Sequence, residues 1–350
     1  MKLFNILFTL FGVVTVIFFL FQILPGDPAR MMMDQNEDVE QLEIIKKKYG
    51  FDEPILNQYL YYLNDLSIIS IHSKNPEKIN FIRENKYSFT KICDFQNSTL
   101  VLKFPYLRES YQRRGVKVST IIMDTFPNTV VLAISSILFA TVFGLLFGIL
   151  SALYKETLFD NSIQLFSTFG MSMPSFLSSI IFAWIFGFVL ADITGLNMTG
   201  SLFELDDFGD EYRLELKNLI LPSIVLGIRP IAVISMMMRN SLIETLKKNY
   251  VITAYAKGLS KSKVILNHCL KNSLNPVITA LSGWFASLLA GSVFVEYIFG
   301  WNGLGREIVN SLNLLDVPVI IGAVIVVSFS FIMINIFVDY VYKFLDPRIS

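Results

Sequence analysis

Side chains that could perform catalysis or bind a metal are few in this chain and lie far apart. It has two cysteines, Cys93 and Cys269, and two histidines, His72 and His268. The two cysteines lack the CxxC spacing of a metal or redox site. A metal site would also need three or four converging ligands, and these four residues are widely separated. No Ser/His/Asp or Cys/His set assembles, and HExxH is absent. We therefore predict no catalytic residue, no metal site and no cofactor bound by this chain.

A nucleotide-binding loop is also missing from the sequence. The P-loop pattern GxxxxGK[ST] cradles phosphates with backbone amides. The nearest stretch, GLSKSK at 258–263, has the wrong spacing and no second glycine. Any ATP-driven work must therefore come from another subunit. The formal net charge is zero, so the total charge indicates no partner. We also expect no nucleic-acid partner.

The composition is that of a membrane protein. Charged residues make up only 17% of the chain and the mean hydropathy is +0.55, whereas soluble domains carry about 25% charged residues. A transmembrane helix needs roughly 20 consecutive apolar residues. The stretches that meet this condition are 3–24, 129–153, 163–190, 219–238, 277–299 and 319–342. We predict an all-α integral membrane protein with six transmembrane helices, the first of them uncleaved.

Several of these spans contain residues that are unusual in a membrane. Pro174 lies inside the third span, so we expect a kink that packs against neighbouring helices. Arg229 and Pro230 lie in the middle of the fourth. Arg229 is a candidate pore residue for anionic cargo, since intramembrane charges are often functional; alternatively, it pairs with a neighbouring subunit or reaches a water-filled vestibule. Glu296 and Asp339 lie near span ends, where we expect them to cap or pair.

Small residues on the fifth span would allow another helix to approach closely. These are Gly283, Ala286, Ala290 and Gly291. They fit either an interface with another subunit or packing within this one.

Lysines and arginines in the short connecting segments indicate the orientation. With a cytoplasmic N-terminus, the inner segments hold Lys2, Lys155, Arg239, Lys247, Lys248, Lys257, Lys261, Lys263, Lys271, Lys343 and Arg348, and the outer ones hold Arg213, Lys217 and Arg306. The outer loop 191–218 is acidic. We therefore predict that both termini are cytoplasmic. The predicted division is a first helix 1–24, a large extracytoplasmic segment 25–128 and a core of five helices over 129–350.

A tight external turn ends the first span. Its residues are Pro25, Gly26, Asp27 and Pro28. The prolines interrupt the helix, and the glycine permits the turn.

The remainder of the extracytoplasmic segment begins with two short predicted helices. The first covers 39–49, with Gly50 as its C-terminal cap, and the second covers 54–66, with a proline at its start. The rest, 67–117, carries no motif that we can name. It is either a small cap with its own core or a docking or gating surface for an external partner.

The basic segment, which we define as residues 240–276, connects the fourth and fifth spans. Gly258 is a stop signal for a helix over 242–257. Ser260 is a suitable N-cap for a second helix over 261–272. The sequence thus predicts two helices joined by a bend at glycine.

Pro276 closes this element before the fifth span, and two interpretations fit it. One is a basic interfacial helix on anionic lipid, which gains about 1 kcal/mol per lysine near the surface. The other is a docking element whose apolar residues enter a groove on a partner. A bent pair of helices held at both ends favours docking.

One stretch of the basic segment resembles a known family. TAYAKGLSKSKVILNHCLKNSLNPVIT at 253–279 is similar to the EAA loop of bacterial ABC-importer permeases, in the version found in the dipeptide/oligopeptide/nickel permease family. Further stretches resemble that family in the same order: FNILFTLFGVVTVIFFLFQILPGDPA, FDEPILNQYLYYL, MRNSLIETLKKNYVITAYAKGLS, EYIFGWNGLGREIVNSLNLLDVPVI and VDYVYKFLDPRIS. The broader EAA pattern has an acidic residue where this chain has Ile252, so no role can rest on a carboxylate there.

The resemblance implies the permease subunit of an ATP-driven importer in the bacterial cytoplasmic (inner) membrane. Implied partners are a second permease, two cytoplasmic ATPases that carry ATP and Mg, an extracytoplasmic binding protein that delivers peptides, and membrane lipid. Nickel or a metal chelate is the alternative cargo. The resemblance assigns ATPase docking to a coupling loop at Ala254, Ala256, Lys257, Gly258, Leu259, Ser260, Lys261, Val264, Leu266, Leu270, Asn272 and Pro276.

Two other classes remain open on the sequence. An ion-coupled secondary transporter would place acidic residues near the membrane midplane and show an inverted repeat of spans, and the pattern shows no such repeat. A membrane scaffold or receptor without transport activity is the second class.

Overall fold

The computed structural model of the chain describes residues 2–23, 27–33, 39–76, 78–82, 88–206 and 211–345. Most of these residues are helical. The helices are α1 (Lys2–Ile23), α2 (Pro28–Met31), α3 (Val39–Tyr49), α4 (Ile55–Leu66), α5 (Val118–Leu153), α6 (Leu158–Ser172), α7 (Ser175–Val189), α8 (Ala191–Thr194), α9 (Lys217–Leu246), α10 (Asn249–Ala256), α11 (Lys261–Ser273), α12 (Asn275–Gly291), α13 (Val293–Phe299), α14 (Leu304–Asn313) and α15 (Val317–Leu345). The strands are β1 (Ile69–Ser73), β2 (Phe89–Asp94), β3 (Ser98–Lys103), β4 (Phe203–Leu205) and β5 (Tyr212–Leu214).

The strands correct the prediction of an all-α protein. β1, β3 and β2 form an antiparallel sheet in that order, and β4 pairs with β5 in a hairpin. In β3, Thr99 and Val101 are buried while Leu102 between Val101 and Lys103 is exposed. This alternation with period two is typical of a strand with one buried face. The sequence STLVLK carries that signal, and the search for apolar spans missed it.

Three described helices are long and apolar enough to cross a membrane: α5, α9 and the part of α15 from Val317 to Val338. Two bent pairs also qualify if each counts as one span, α6 with α7 and α11 with α12. The α6–α7 bend is 110° and lies at Pro174, which confirms the predicted kink. In the first predicted span, Phe8–Gln22 is apolar but shorter. The count of six therefore stays a prediction.

The chain divides into two compact units. The first comprises Met1–Asp124 with Ile308–Ser328, and the second comprises Thr125–Glu307 with Phe329–Ser350. The predicted division at 24/25 and 128/129 is based on which side of the membrane each segment occupies. Contacts within the chain do not test that division. It stays a prediction.

In the first unit, α4 packs along α1. Val14 and Phe18 of α1 share a buried cluster with Tyr62 of α4 and Ile321. The Thr15 hydroxyl lies 2.6 Å from the Tyr59 hydroxyl, so a hydrogen bond also joins the two helices. The two predicted short helices are confirmed as α3 and α4.

In the second unit, α5 and α9 approach closely at two glycines. A Cβ on Gly148 would lie 2.6 Å from the Ser235 carbonyl oxygen, and one on Gly144 would lie 2.7 Å from Ile234. Gly144 and Gly148 form a GxxxG pattern, which brings helix backbones together. The sequence analysis instead selected Gly283 and Gly291 of α12, but nothing lies within 4 Å of a Cβ built at either position.

Glu296 organises the turn between α13 and α14. It is fully buried, and its carboxylate accepts hydrogen bonds from the Ser292 hydroxyl (2.8 Å) and from the backbone N–H groups of Gly305 (2.7 Å) and Arg306 (3.2 Å). A carboxylate at the start of α14 satisfies N–H groups that have no partner in the helix. The capping role predicted for Glu296 is confirmed. The prediction for Asp339 concerns a side chain outside those described.

Candidate functional site

Two helices of the basic segment, α10 and α11, meet at a bend at Gly258, as predicted. Gly258 has a φ of +80° and follows α10. Its N–H donates to the Tyr255 carbonyl (2.9 Å), and the N–H of Leu259 donates to the Ala254 carbonyl (3.3 Å). This pair of bonds is a Schellman motif, which ends a helix with a left-handed residue. The bend is therefore built from backbone hydrogen bonds that require a positive φ.

The single helix predicted over 242–257 is wrong, because the extended backbone of Lys248 interrupts it. α9 continues to Leu246, and a break at Lys248 separates it from α10. Ser260 has the extended backbone of an N-cap, but its side chain makes no capping hydrogen bond. α11 contains a π-helical turn over Ile265–Cys269. A bend of 50° then separates α11 from α12, where Pro276 lies in the first turn.

Part of the predicted docking set faces inward. Ala254 and Val264 are buried in a core with Met238 of α9 and Ala140 of α5, and Leu259 and Leu270 pack against that core. These side chains bind the segment to its own helices, so they are not available to enter a groove on a partner. Their apolar spacing explains why the segment packs against α5 and α9.

The rest of the predicted set faces outward. Its exposed members are Ala256, Lys257, Gly258, Ser260, Lys261, Leu266, Asn272 and Pro276. Leu266 is 64% exposed, and the neighbouring Ile252 and Tyr255, which the sequence analysis did not select, are exposed as well. The Asn272 amide also donates to the Tyr250 hydroxyl (2.9 Å) and so joins α11 to α10. The outward face combines cationic and apolar side chains.

Arg229 lies on an exposed part of α9. It lines a cavity of about 60 Å³ together with Ser175 and Ser178 of α7 and Trp284 and Gly291 of α12. Among the described residues it forms no ion pair. Arg229 therefore borders a small cavity between helices with a mixed lining, and its pore role stays a prediction.

The turn after the first helix is described only in part, because Pro25 and Gly26 lie outside the described residues. Asp27 accepts a hydrogen bond from the Ala29 N–H (3.0 Å) and pairs with Lys46 of α3 (3.0 Å). Burial raises the pKa of Asp27, but the hydrogen bonds from Lys46 and Ala29 outweigh it and keep that pKa below its ordinary value. Pro28 begins α2. Asp27 thus caps a short helix and anchors α3.

The sequence analysis missed an ion pair beside the basic segment. Asp160, in the first turn of α6, is fully buried and binds Arg239 of α9 through two hydrogen bonds of 2.7 and 2.6 Å. The analysis used Arg239 only as a positive charge for orientation. No signal in the sequence links it to a carboxylate 79 residues away.

No metal site was predicted. Among the described residues, no group of three or more His, Cys, Asp or Glu side chains is placed to hold a metal ion. The absence of a bound cofactor stays a prediction.

Comparisons with known proteins identify the family. The family described as binding-protein-dependent transport system inner membrane component matches residues 144–350, and its N-terminal domain matches residues 1–80. The chain is 32% identical to the di/tripeptide transport system permease protein DppB of Pseudomonas aeruginosa, over 97% of this chain and 95% of that protein. It is 30% identical to the glutathione transport system permease protein GsiC of Escherichia coli K12, over 99% and 97%.

A solved structure supports the same fold. The inward-facing MetNI methionine ABC transporter aligns with a TM-score of 0.53 at 14% identity, over 65% of this chain and 97% of that chain. At that identity the likeness concerns the fold alone. The family match covers more than half of the sequence and includes the basic segment, Arg229 and the α5–α9 contact. The chain belongs to the family of inner membrane components of binding-protein-dependent transport systems.

Proposed function

We propose that this chain is the permease subunit of an ATP-driven ABC importer that carries peptides. The observation that supports this most is the basic segment: its own core anchors it, and its cationic face is left open for a partner. The two relatives compared above are named as permeases for di- and tripeptides and for glutathione, and glutathione is itself a short peptide. Peptides are therefore the cargo class that we infer.

The proposed assembly contains a second permease, two ATPases on the cytoplasmic side and an external binding protein. The six-span topology has both termini in the cytoplasm, with α1 as the first span. ATP and Mg bind the ATPases, and this chain does no catalysis. Nucleotide binding displaces the docked basic segment, which shifts the helices between inward- and outward-open states. Nucleotide can drive this change because it binds the two states with different affinity.

The test is uptake by the reconstituted assembly of these subunits in vesicles. We expect a labelled dipeptide to accumulate only when ATP and the binding protein are both present. Uptake that follows a proton gradient in the absence of ATP would instead show an ion-coupled carrier. A nickel chelate in place of the dipeptide tests the other cargo.

Arg229 is the residue that we propose contacts cargo in the pore. Arg229→Gln removes the charge beside the cavity and should lower dipeptide uptake about tenfold, the effect of losing a charged hydrogen bond worth about 1.4 kcal/mol. Arg213→Gln is the control, because that exposed arginine pairs with Asp206 on the β4–β5 hairpin. Unchanged uptake of every cargo tested in the Arg229 variant would remove the pore role.

A further inference from the structure

The α5–α6 turn is bound to α9 by a cluster centred on one carboxylate. Asp160 is fully buried and Arg239 is 15% exposed, measured on their side chains. The Arg239 guanidinium approaches in a bidentate arrangement, with Nε 2.7 Å from Oδ1 and Nη2 2.6 Å from Oδ2. Such a fork fixes both the distance and the angle between its two helices.

The remaining partners of the carboxylate come from the turn and from the two helices that it joins. The Ser151 hydroxyl at the end of α5 donates to Oδ1, as does the Gln164 amide (3.0 Å) on α6. The backbone N–H of Glu156 donates to Oδ2 (2.9 Å). Glu156 has a φ of +64°, a conformation that is rare for a residue with a side chain. The Asp160 carboxylate therefore holds the turn in a conformation it would not otherwise favour and joins it to Arg239.

Arg239 immediately precedes the basic segment. Met238 and Leu242, on either side of it in α9, lie in the same core as Ala254 and Val264 of that segment. A displacement of the basic segment therefore reaches Arg239 through packed side chains. From Arg239 it passes to the α5–α6 turn through the ion pair.

We propose that the Asp160–Arg239 ion pair is a positioning element that makes the α5–α6 turn move with the basic segment during transport. This proposal rests on the proposed function, since it concerns how a movement of the ATPases is transmitted through the helices of this chain. We assign neither residue a contact with cargo or nucleotide. The pair makes α5 and α6 move together with α9. Its loss should therefore allow ATP to be hydrolysed without the matching uptake of peptide.

The experiment measures ATP hydrolysed per peptide taken up by the reconstituted transporter, normalised to assembled complex. Arg239→Gln should raise this ratio about fivefold, the low end of typical coupling between sites. Arg239→Lys keeps the charge but loses the fork, and should raise it less. The matched control is Lys217→Gln, because Lys217 pairs with Glu215 at the start of α9, outside the basic segment, in a partly exposed ion pair of 3.6 Å. The control should leave the ratio unchanged.

A merely structural role would lower hydrolysis and uptake together with the amount of complex, and the ratio would stay constant. An unchanged ratio in assembled Arg239→Gln overturns the proposal, as does an equal rise in Lys217→Gln. If Arg239→Gln fails to assemble, Arg239→Lys decides: a ratio equal to that of the unmodified chain overturns the proposal. Absence of ATP-dependent uptake by the unmodified chain would instead refute the proposed function.

Discussion

Gly258 shows how one backbone dihedral determines the geometry of the basic segment. Its φ of +80° closes the Schellman motif that turns α10 into α11. A Cβ there would meet nothing within 4 Å, so space does not require glycine. The requirement is conformational, because a side chain disfavours the left-handed region.

Gly258→Ala should therefore strain the bend by about 1–2 kcal/mol without any steric clash. We expect lower peptide uptake per ATP, measured in reconstituted vesicles, because the outward face of the basic segment changes direction. Gly195→Ala is a matched control, since Gly195 has a φ of +66° and equally open space but lies after α8. Equal losses of coupling in both variants would contradict a special role for the bend.

At the scale of elements, the α5–α9 contact supports the basic segment. Gly144 and Gly148 let α9 approach α5 closely, and the core that continues from this contact holds Val251 and Val264 of the basic segment. The same core includes Cys269, which is buried. One packed body thus extends from the two long helices into the segment that we propose docks the ATPase.

Gly148→Ala should destabilise the protein by about 1–3 kcal/mol, because its Cβ would lie 2.6 Å from the Ser235 carbonyl oxygen and 2.7 Å from Met238. Thermal unfolding of the purified protein in detergent measures this. Gly283→Ala adds the same methyl group in open space and should leave the unfolding temperature of the isolated chain unchanged. Equal unfolding temperatures for the two variants would show that α9 does not depend on this contact.

At the scale of the whole molecule, the proposed topology places the β1–β3–β2 sheet outside the cell and the basic segment inside. The native cysteines give a direct probe, because Cys93 in β2 is exposed and Cys269 in α11 is buried. Their different exposure means that only the first is ready to react with a bulky reagent.

A membrane-impermeant maleimide should label Cys93 in intact cells, and Cys93→Ser should abolish that labelling. Adding Lys263→Cys to the Cys93→Ser chain should restore labelling only after the membrane is permeabilised. The exposed Lys263 position makes this second site reactive. Labelling of both positions from the same side would contradict the six-span arrangement, and peptide mass mapping identifies the modified residue.

The sequence by itself determined the features that depend on neighbouring residues. Apolar runs predicted the long helices, Pro174 predicted the bend between α6 and α7, and Gly258 predicted the break between α10 and α11, because each of these follows from local backbone chemistry. Only the tertiary structure decided which small residues and charges meet. Gly144 and Gly148 matter because α9 lies against them, and Asp160 binds an arginine 79 residues away. Such pairings depend on how distant helices pack, and a single sequence carries no local signal of that packing.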